Sequence, residues 1–273
     1  MIMAAVTKKK EAPGESGEVV AFDPATAFEE FAGAGLEEVT TEDLAIPFLR
    51  ILAQLSPQVN KRDGAYVEGA EAGMIYNTVS NEAYDGEKGV LVVPCYYNRR
   101  FIEWQPRSSG GGYVGSYTPD DPVVKTTTKN DRGEDVLPSG NILTNTAQFY
   151  VVMPLGDSLH KCIITMSSTQ LKKSRRWLAL QASFTGTRKD GYQFTLPSFS
   201  QMYRLRTVPE SNDKGDWFGW EISHERGLEI AEGQEDSSLF WQCVEFKKAC
   251  AQGDVQAKET APNTSVEDDE VPF

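Results

Sequence analysis

The sequence predicts a mainly β, α+β body over residues 41–250, set between a disordered or weakly ordered acidic N-terminal arm (1–40) and a disordered C-terminal segment (251–273). Three observations lead there. Runs dense in β-branched and aromatic residues recur at 89–104, 147–154 and 160–167, as strands require. A helical periodicity follows them at Leu171, Leu178 and Ala182. Residues 1–20 and 251–265 carry few bulky side chains and cannot bury enough surface to order themselves.

The elements follow in chain order. Phe22 to Phe31 reads as a short helix on the spacing of Phe28 and Phe31. Glu42 to Leu55 places Leu44, Phe48, Leu49, Ile51, Leu52 and Leu55 at helical spacing, with Thr40 or Thr41 as cap and Pro57 beyond its end. Residues 73–79 and 89–104 are strands. Residues 105–146, rich in Gly, Pro, Asp, Asn and Thr, read as long loops or a β-insertion. Residues 147–154 and 160–167 form a hairpin around Gly156 and Asp157. A helix capped by Ser167 or Ser168 comes next, then a strand over 192–208 kinked at Pro197. The turn Glu210 to Gly215 leads to a strand at Trp217–Ile222, and Leu239 to Ala249 closes the body as a helix. Taken as three strong strands, a helix and two further strands, this is the order of an OB-fold-like five-stranded barrel with flanking helices.

Charge is distributed unevenly. The whole chain of 273 residues has 27 Lys and Arg against 40 Asp and Glu, a net charge of −13. Residues 1–45 contribute −7 and residues 251–273 contribute −5, which leaves the middle near neutral. Inside it, residues 158–208 hold nine cations and one acid, Asp190, for a net of +8. A basic stretch between acidic ends says more about partners than the total does. No apolar run reaches the ~18 residues of a membrane span, and no secretory signal follows Lys8, Lys9 and Lys10. Cys95, Cys162, Cys243 and Cys250 lie far apart, which argues for a reducing compartment.

Catalytic constellations are not evident. His160 and His224 are the only histidines, and neither adjoins a nucleophile motif. His160 and Cys162 share a strand face but lack a second ligand pair at zinc-site spacing. Gly110, Gly111 and Gly112 lack the Lys and helix of a phosphate loop. Glu103 and Glu221 are isolated, as solvated or salt-bridged carboxylates are. No catalytic residue, metal or cofactor is expected.

Basic and aromatic residues, by contrast, interleave at Tyr96–Trp104, Lys172–Trp177 and Tyr203–Arg206. Single strands are held without sequence preference by cations along the phosphates and by aromatic faces on the bases, each stacked base contributing about 1–3 kcal/mol. Arg99, Arg100, Lys172, Lys173, Arg175, Arg176, Arg204 and Arg206 are the phosphate candidates. Tyr97, Trp104, Trp177 and Tyr203 are the stacking candidates. In a strand Tyr97, Arg99 and Phe101 share one face, and Arg100, Ile102 and Trp104 the other.

The chain ends in Glu267, Asp268, Asp269, Glu270, Val271, Pro272 and Phe273. Over Asp268 to Phe273 this resembles the acidic tip of bacterial single-stranded DNA-binding proteins, which end in several acids, a hydrophobic residue, Pro and Phe. In that family the terminal Phe enters an apolar pocket on a partner, and a basic rim receives the carboxylates. In that family the tip also competes with DNA for the protein's own basic groove. The body departs from the bacterial sequences and is similar in architecture to the replication-associated single-stranded DNA-binding proteins of bacteriophages, which join an OB-fold core to an acidic tail ending in an aromatic residue. The 105–146 segment and the N-terminal arm depart from a minimal OB domain.

The resemblance implies a non-enzymatic, sequence-independent single-stranded DNA-binding protein of the cytoplasm, or of the host cytoplasm if phage-encoded. Its expected partners are single-stranded DNA and, through the tail, replication, recombination or repair proteins, with a second copy of the chain as a further candidate and no membrane. Two other classes stay open: a structural or accessory virion protein, and a metal-dependent DNA-processing enzyme whose carboxylates converge from distant positions.

Overall fold

The computed structural model describes residues 31–32, 34–38, 46–213, 215–253, 255 and 257. Of the short helix expected at Phe22 to Phe31 only Phe31 is described, in a turn, and the caps Thr40 and Thr41 and the tip Asp268 to Phe273 lie outside the described structure. Contacts divide the chain into residues 1–40 and 41–273. Of the first unit, the described part is a pair of turns, in which Ala34 N donates to Phe31 O at 3.0 Å.

The second unit opens with three short strands, β1 (Leu49–Ile51), β2 (Ile75–Asn77) and β3 (Ala83–Tyr84), paired in that order. A 16-residue strand follows, β4 (Val90–Gln105). β5 (Gly112–Tyr117), β6 (Thr128–Lys129) and β7 (Asp135–Val136) come next, then β8 (Ile142–Leu155) and β9 (Ser158–Ser167). Helix α1 (Leu171–Ser183) leads to the small hairpin β10 (Thr185–Thr187) and β11 (Gln193–Thr195). β12 (Gln201–Asn212), β13 (Gly215–Gly227) and helix α2 (Glu235–Gln252) complete the unit.

The five long strands are β4, β8, β9, β12 and β13, with α1 between the third and fourth. They pair antiparallel in the spatial order β13, β12, β4, β8, β9 and curl into a half-barrel. The fold is mainly β, α+β and OB-like. The 105–146 insertion joins short strands by turns: β5 pairs with the end of β4, and β6 and β7 extend the sheet beyond β8. β1 approaches β9, where Ile163 N donates to Pro47 O at 2.8 Å. At the opposite side the loops around β2 and β3 meet β12. There Gly86 is required, because a Cβ would lie 2.0 Å from Gly73 O, and Thr207 N donates to Gly86 O at 2.9 Å.

Each face of the curled sheet has its own helix. Trp177 of α1 packs with Phe149, Val151, Ile164, Tyr203 and Leu205. Leu239, Cys243 and Phe246 of α2 pack with Val93, Cys95, Tyr150 and Ile163. Alternating residues of one strand, such as Phe149 and Tyr150, therefore enter opposite layers. Each fully buried large side chain contributes about 1.5–3 kcal/mol.

Several sequence expectations need correction. Residues 46–53 of the expected helix 42–55 carry strand β1 and no helix, Gln54 and Leu55 form a turn, and residues 42–45 lie outside the description. The apolar spacing that suggests a helix there sends Leu49, Phe48 and Leu52 into three separate clusters. Ser167 makes no side-chain cap; a 3-10 turn at Ser168–Gln170 enters α1 instead. The strand expected over 192–208 is two, β11 and β12, divided at Pro197 by a 3-10 turn. Glu210 and Ser211 extend β12 rather than form the turn. The linker also begins later than expected. After α2, Gly253 takes a left-handed cap (φ 87°), Val255 is buried in the α2 cluster and Ala257 packs against it, so apolar side chains anchor the exit.

Candidate nucleic-acid interface

The middle of β4 builds the first part of the site. Tyr97 is half-buried, with its ring 5.1 Å from that of Phe149 at the margin of the α1 layer. Two residues on, Arg99 is exposed, donates through Nε to Asn145 Oδ1 at 2.8 Å, and lies 5.4 Å from the Phe101 ring centroid. A guanidinium over an aromatic face is attracted by the ring while its remaining donors stay available. Arg175 of α1 reaches the same neighbourhood. Burial pushes the Tyr97 phenol above its ordinary pKa, while the charges of Arg99 and Arg175 pull it down. The structure thus brings together Tyr97, Arg99, Phe101 and Arg175.

Helix α1 supplies more cations. Its inner face buries Ser174, Trp177 and Gln181, which leaves Lys172, Arg175 and Arg176 exposed on the outer face. These charges lie in the N-terminal half, and the first turn holds no acid. A cation near a helix N-terminus costs roughly 0.3–1 kcal/mol against the helix dipole. The helix therefore concentrates positive potential where its own stability disfavours it.

The hairpin β10–β11 carries residues the sequence reading did not single out. Tyr192 and Phe194 are exposed, and the Arg188 guanidinium lies 5.3 Å and 6.0 Å from their ring centroids. Lys189 is exposed beside them. The signal was available: Asp190-Gly191 between short alternating runs is a strong hairpin cue, and Tyr192 and Phe194 share one face. Leu196 N donates to Phe184 O at 2.9 Å, which ties the hairpin's exit to the end of α1.

Other candidates fall elsewhere. Trp177 and Tyr203 are core residues, 1% and 0% exposed, and offer no face to a base. Trp177 stacks on Phe149 with centroids 4.4 Å apart and meets Tyr203 edge-on at 5.6 Å. Burial pushes the Tyr203 phenol up to about 12. Because Tyr203 and Leu205 point into that layer, Arg204 and Arg206 point to the opposite face of β12. Arg204 is held by both carboxylate oxygens of Glu225, at 3.0 Å and 2.8 Å, and Arg206 is exposed nearby. Lys173 is paired with Glu210 rather than presented to solvent. Arg100 and Trp104 lie on the other face of β4 from Arg99; Arg100 acts on Tyr150, and Trp104 meets Tyr113 edge-on at 6.0 Å. Glu103 is buried rather than solvated, and accepts from Tyr117 Oη and Asn141 Nδ2, each at 2.6 Å.

Among the described residues no group of three or more His, Cys, Asp or Glu is arranged to hold a metal ion. No described helix is long and apolar enough to cross a membrane. A curled β-sheet with helices on both faces and a basic, aromatic strip beside one of them defines the class: an OB-like α+β protein. Residues 15–256 match the family model of the Pam3 phage gp34-like protein, and the chain belongs to this phage-related family. No curated protein and no solved structure matches it.

Proposed function

We propose that the protein binds single-stranded DNA without sequence preference, protects it, and recruits replication, recombination or repair proteins through its C-terminal tail. The observation that carries this reading is the clustering of Tyr97, Arg99 and Arg175, with exposed Tyr192 and Phe194 on the hairpin that leaves the end of α1. Aromatic faces stack on bases while Arg99, Lys172, Arg175, Arg176, Arg188 and Lys189 track phosphates, a division that suits any sequence. The action is binding rather than catalysis, in the cytoplasm of the host cell. Membership of a phage-related family is compatible with it.

The test is an anisotropy titration of a labelled dT oligonucleotide at two salt concentrations, with single- and double-stranded competitors. Binding that prefers single strands and weakens as salt rises is expected, because released counterions drive much of the affinity. Absence of binding at low salt, with the tail removed, overturns the proposal. For the tail, removal of Asp268 to Phe273 is expected to leave DNA affinity unchanged or higher and to abolish recruitment of partner proteins; weaker DNA binding after that deletion counts against competition between tip and DNA.

A further inference from the structure

Arg99 is held by its own sheet. Its partner across the β4–β8 ladder is Ala147, whose methyl group takes little room, and the next residue of β8 on that face is Asn145, opposite Phe101. Asn145 Oδ1 accepts from Arg99 Nε at 2.8 Å, and the guanidinium carbon lies 5.4 Å from the Phe101 ring centroid. An amide has one accepting oxygen, and its nitrogen only donates. Asn145 therefore engages Nε and leaves the terminal Nη groups of Arg99 without an acceptor among the described residues. Arg99 is exposed, and those groups are the ones a phosphate takes.

Arg204 in β12 shows what a carboxylate in that role does. Its neighbouring strand supplies Glu225, which takes Nε and Nη2 together at 3.0 Å and 2.8 Å, and Nη1 donates to Lys88 O at 3.3 Å. All three guanidinium nitrogens of Arg204 are engaged and its charge is balanced, whereas Arg99 gives up one nitrogen to a neutral group. An arginine that is already oriented loses less rotamer freedom when it meets a ligand than a free one does.

We infer that Asn145 is a positioning residue of the single-strand site: it fixes Arg99 over Phe101 with the Nη groups free for a phosphate and, being neutral, leaves the arginine's charge to the DNA. The inference rests on the single-strand reading above and sharpens it, since it adds a residue that acts only through Arg99 and meets no nucleotide itself.

A labelled dT oligonucleotide, titrated over a series of salt concentrations with the full chain and its variants, provides the test. Asn145→Ala should weaken binding roughly fivefold, the effect of losing one hydrogen bond, with the salt slope unchanged because Arg99 keeps its charge. In a chain that already carries Arg99→Ala, the same substitution should change nothing, since its route to the DNA is gone. Asn145→Asp should pair Arg99 as Glu225 pairs Arg204 and lower the slope by roughly 0.7, the value for one phosphate contact on a single strand. Asn145→Val, which favours a strand and offers no acceptor, serves where Asn145→Ala does not fold. Natural affinity in Asn145→Ala, an equal loss with and without Arg99, or an unchanged slope in Asn145→Asp overturns the positioning role alone. No binding of dT by the natural protein at low salt overturns the single-strand reading, and the positioning role with it.

Discussion

Tyr97-Asn98-Arg99-Arg100-Phe101 in β4 and Tyr203-Arg204-Leu205-Arg206 in β12 both interleave aromatic residues with cations, yet the fold uses them in opposite ways. In β12 the aromatic residue is fully buried under Trp177, and Arg204 is paired through two hydrogen bonds with Glu225 of the neighbouring strand. In β4 the aromatic residue stops at the margin of the core, and Arg99 lies over Phe101 with no ion pair among the described residues. Part of the difference is spacing, because Tyr97 and Arg99 share a strand face while Tyr203 and Arg204 do not, and part comes from neighbours. Helix α1 sits over Tyr203, and β13 brings the acid Glu225 to Arg204, whereas β8 brings the neutral Asn145 to Arg99. A strand of interleaved basic and aromatic residues becomes available to a ligand only where the layer above ends and the strand beside it brings no acid.

The largest effect that separates the two regions is on stability. Trp177→Ala removes a side chain packed on both sides and is expected to cost about 3–5 kcal/mol. Tyr97→Ala should cost about 1 kcal/mol, since half of that ring already faces outward. Urea unfolding of the two variants checks the order; a Tyr97 variant as destabilised as the Trp177 variant would place Tyr97 in the core and remove it from the site.

Salt dependence separates the arginines. If Arg99 and Arg175 meet phosphates, each alanine variant should lower the slope of log affinity against log salt by roughly 0.7, the value for one phosphate contact on a single strand. Arg204→Ala should leave that slope unchanged, because Glu225 already occupies its guanidinium. Equal losses of slope at Arg99 and Arg204 would erase the distinction between β4 and β12.

The same comparison explains what was legible in the sequence. The strands 89–104, 147–154 and 160–167 and both described helices were readable because burial on a sheet or helix face imposes a period. The order of the five long strands followed from them. Residues 46–55 were misread because Phe48, Leu49 and Leu52 satisfy a helical spacing while packing into different clusters of a bent, extended segment. At the site, the cations of α1 were legible as an outer helix face. The fate of Tyr203 and Trp177 was not, since which face of a strand another element covers is decided by residues far away in the chain. Tyr192 and Phe194 were passed over because a hairpin of two three-residue strands was absorbed into a longer expected strand.

The smallest effect concerns Lys173, a cation of the basic helix that the fold withdraws from solvent. Its partner Glu210 also accepts from Gln170 Nε2 at 3.0 Å and Trp217 Nε1 at 2.9 Å, and Gly219 leaves the room, since a Cβ there would lie 2.2 Å from Glu210 Oε2. Burial opposes the charged carboxylate, but the hydrogen bonds from Lys173, Gln170 and Trp217 win, and the Glu210 pKa falls below its ordinary 4.5. A folded-state value below the unfolded one stabilises the protein at pH above 4.5, and that contribution disappears as pH falls through the folded value. Glu210→Gln should therefore lower the urea midpoint at pH 7 and lower it less at pH 3, where the natural carboxyl is losing its charge. A gap between natural protein and variant that stays constant from pH 7 to pH 3 would mean that shape, not charge, joins α1 to β12. Lys173 would then be as free as Arg175 to meet a phosphate, and Lys173→Ala would lower the salt slope by the same amount.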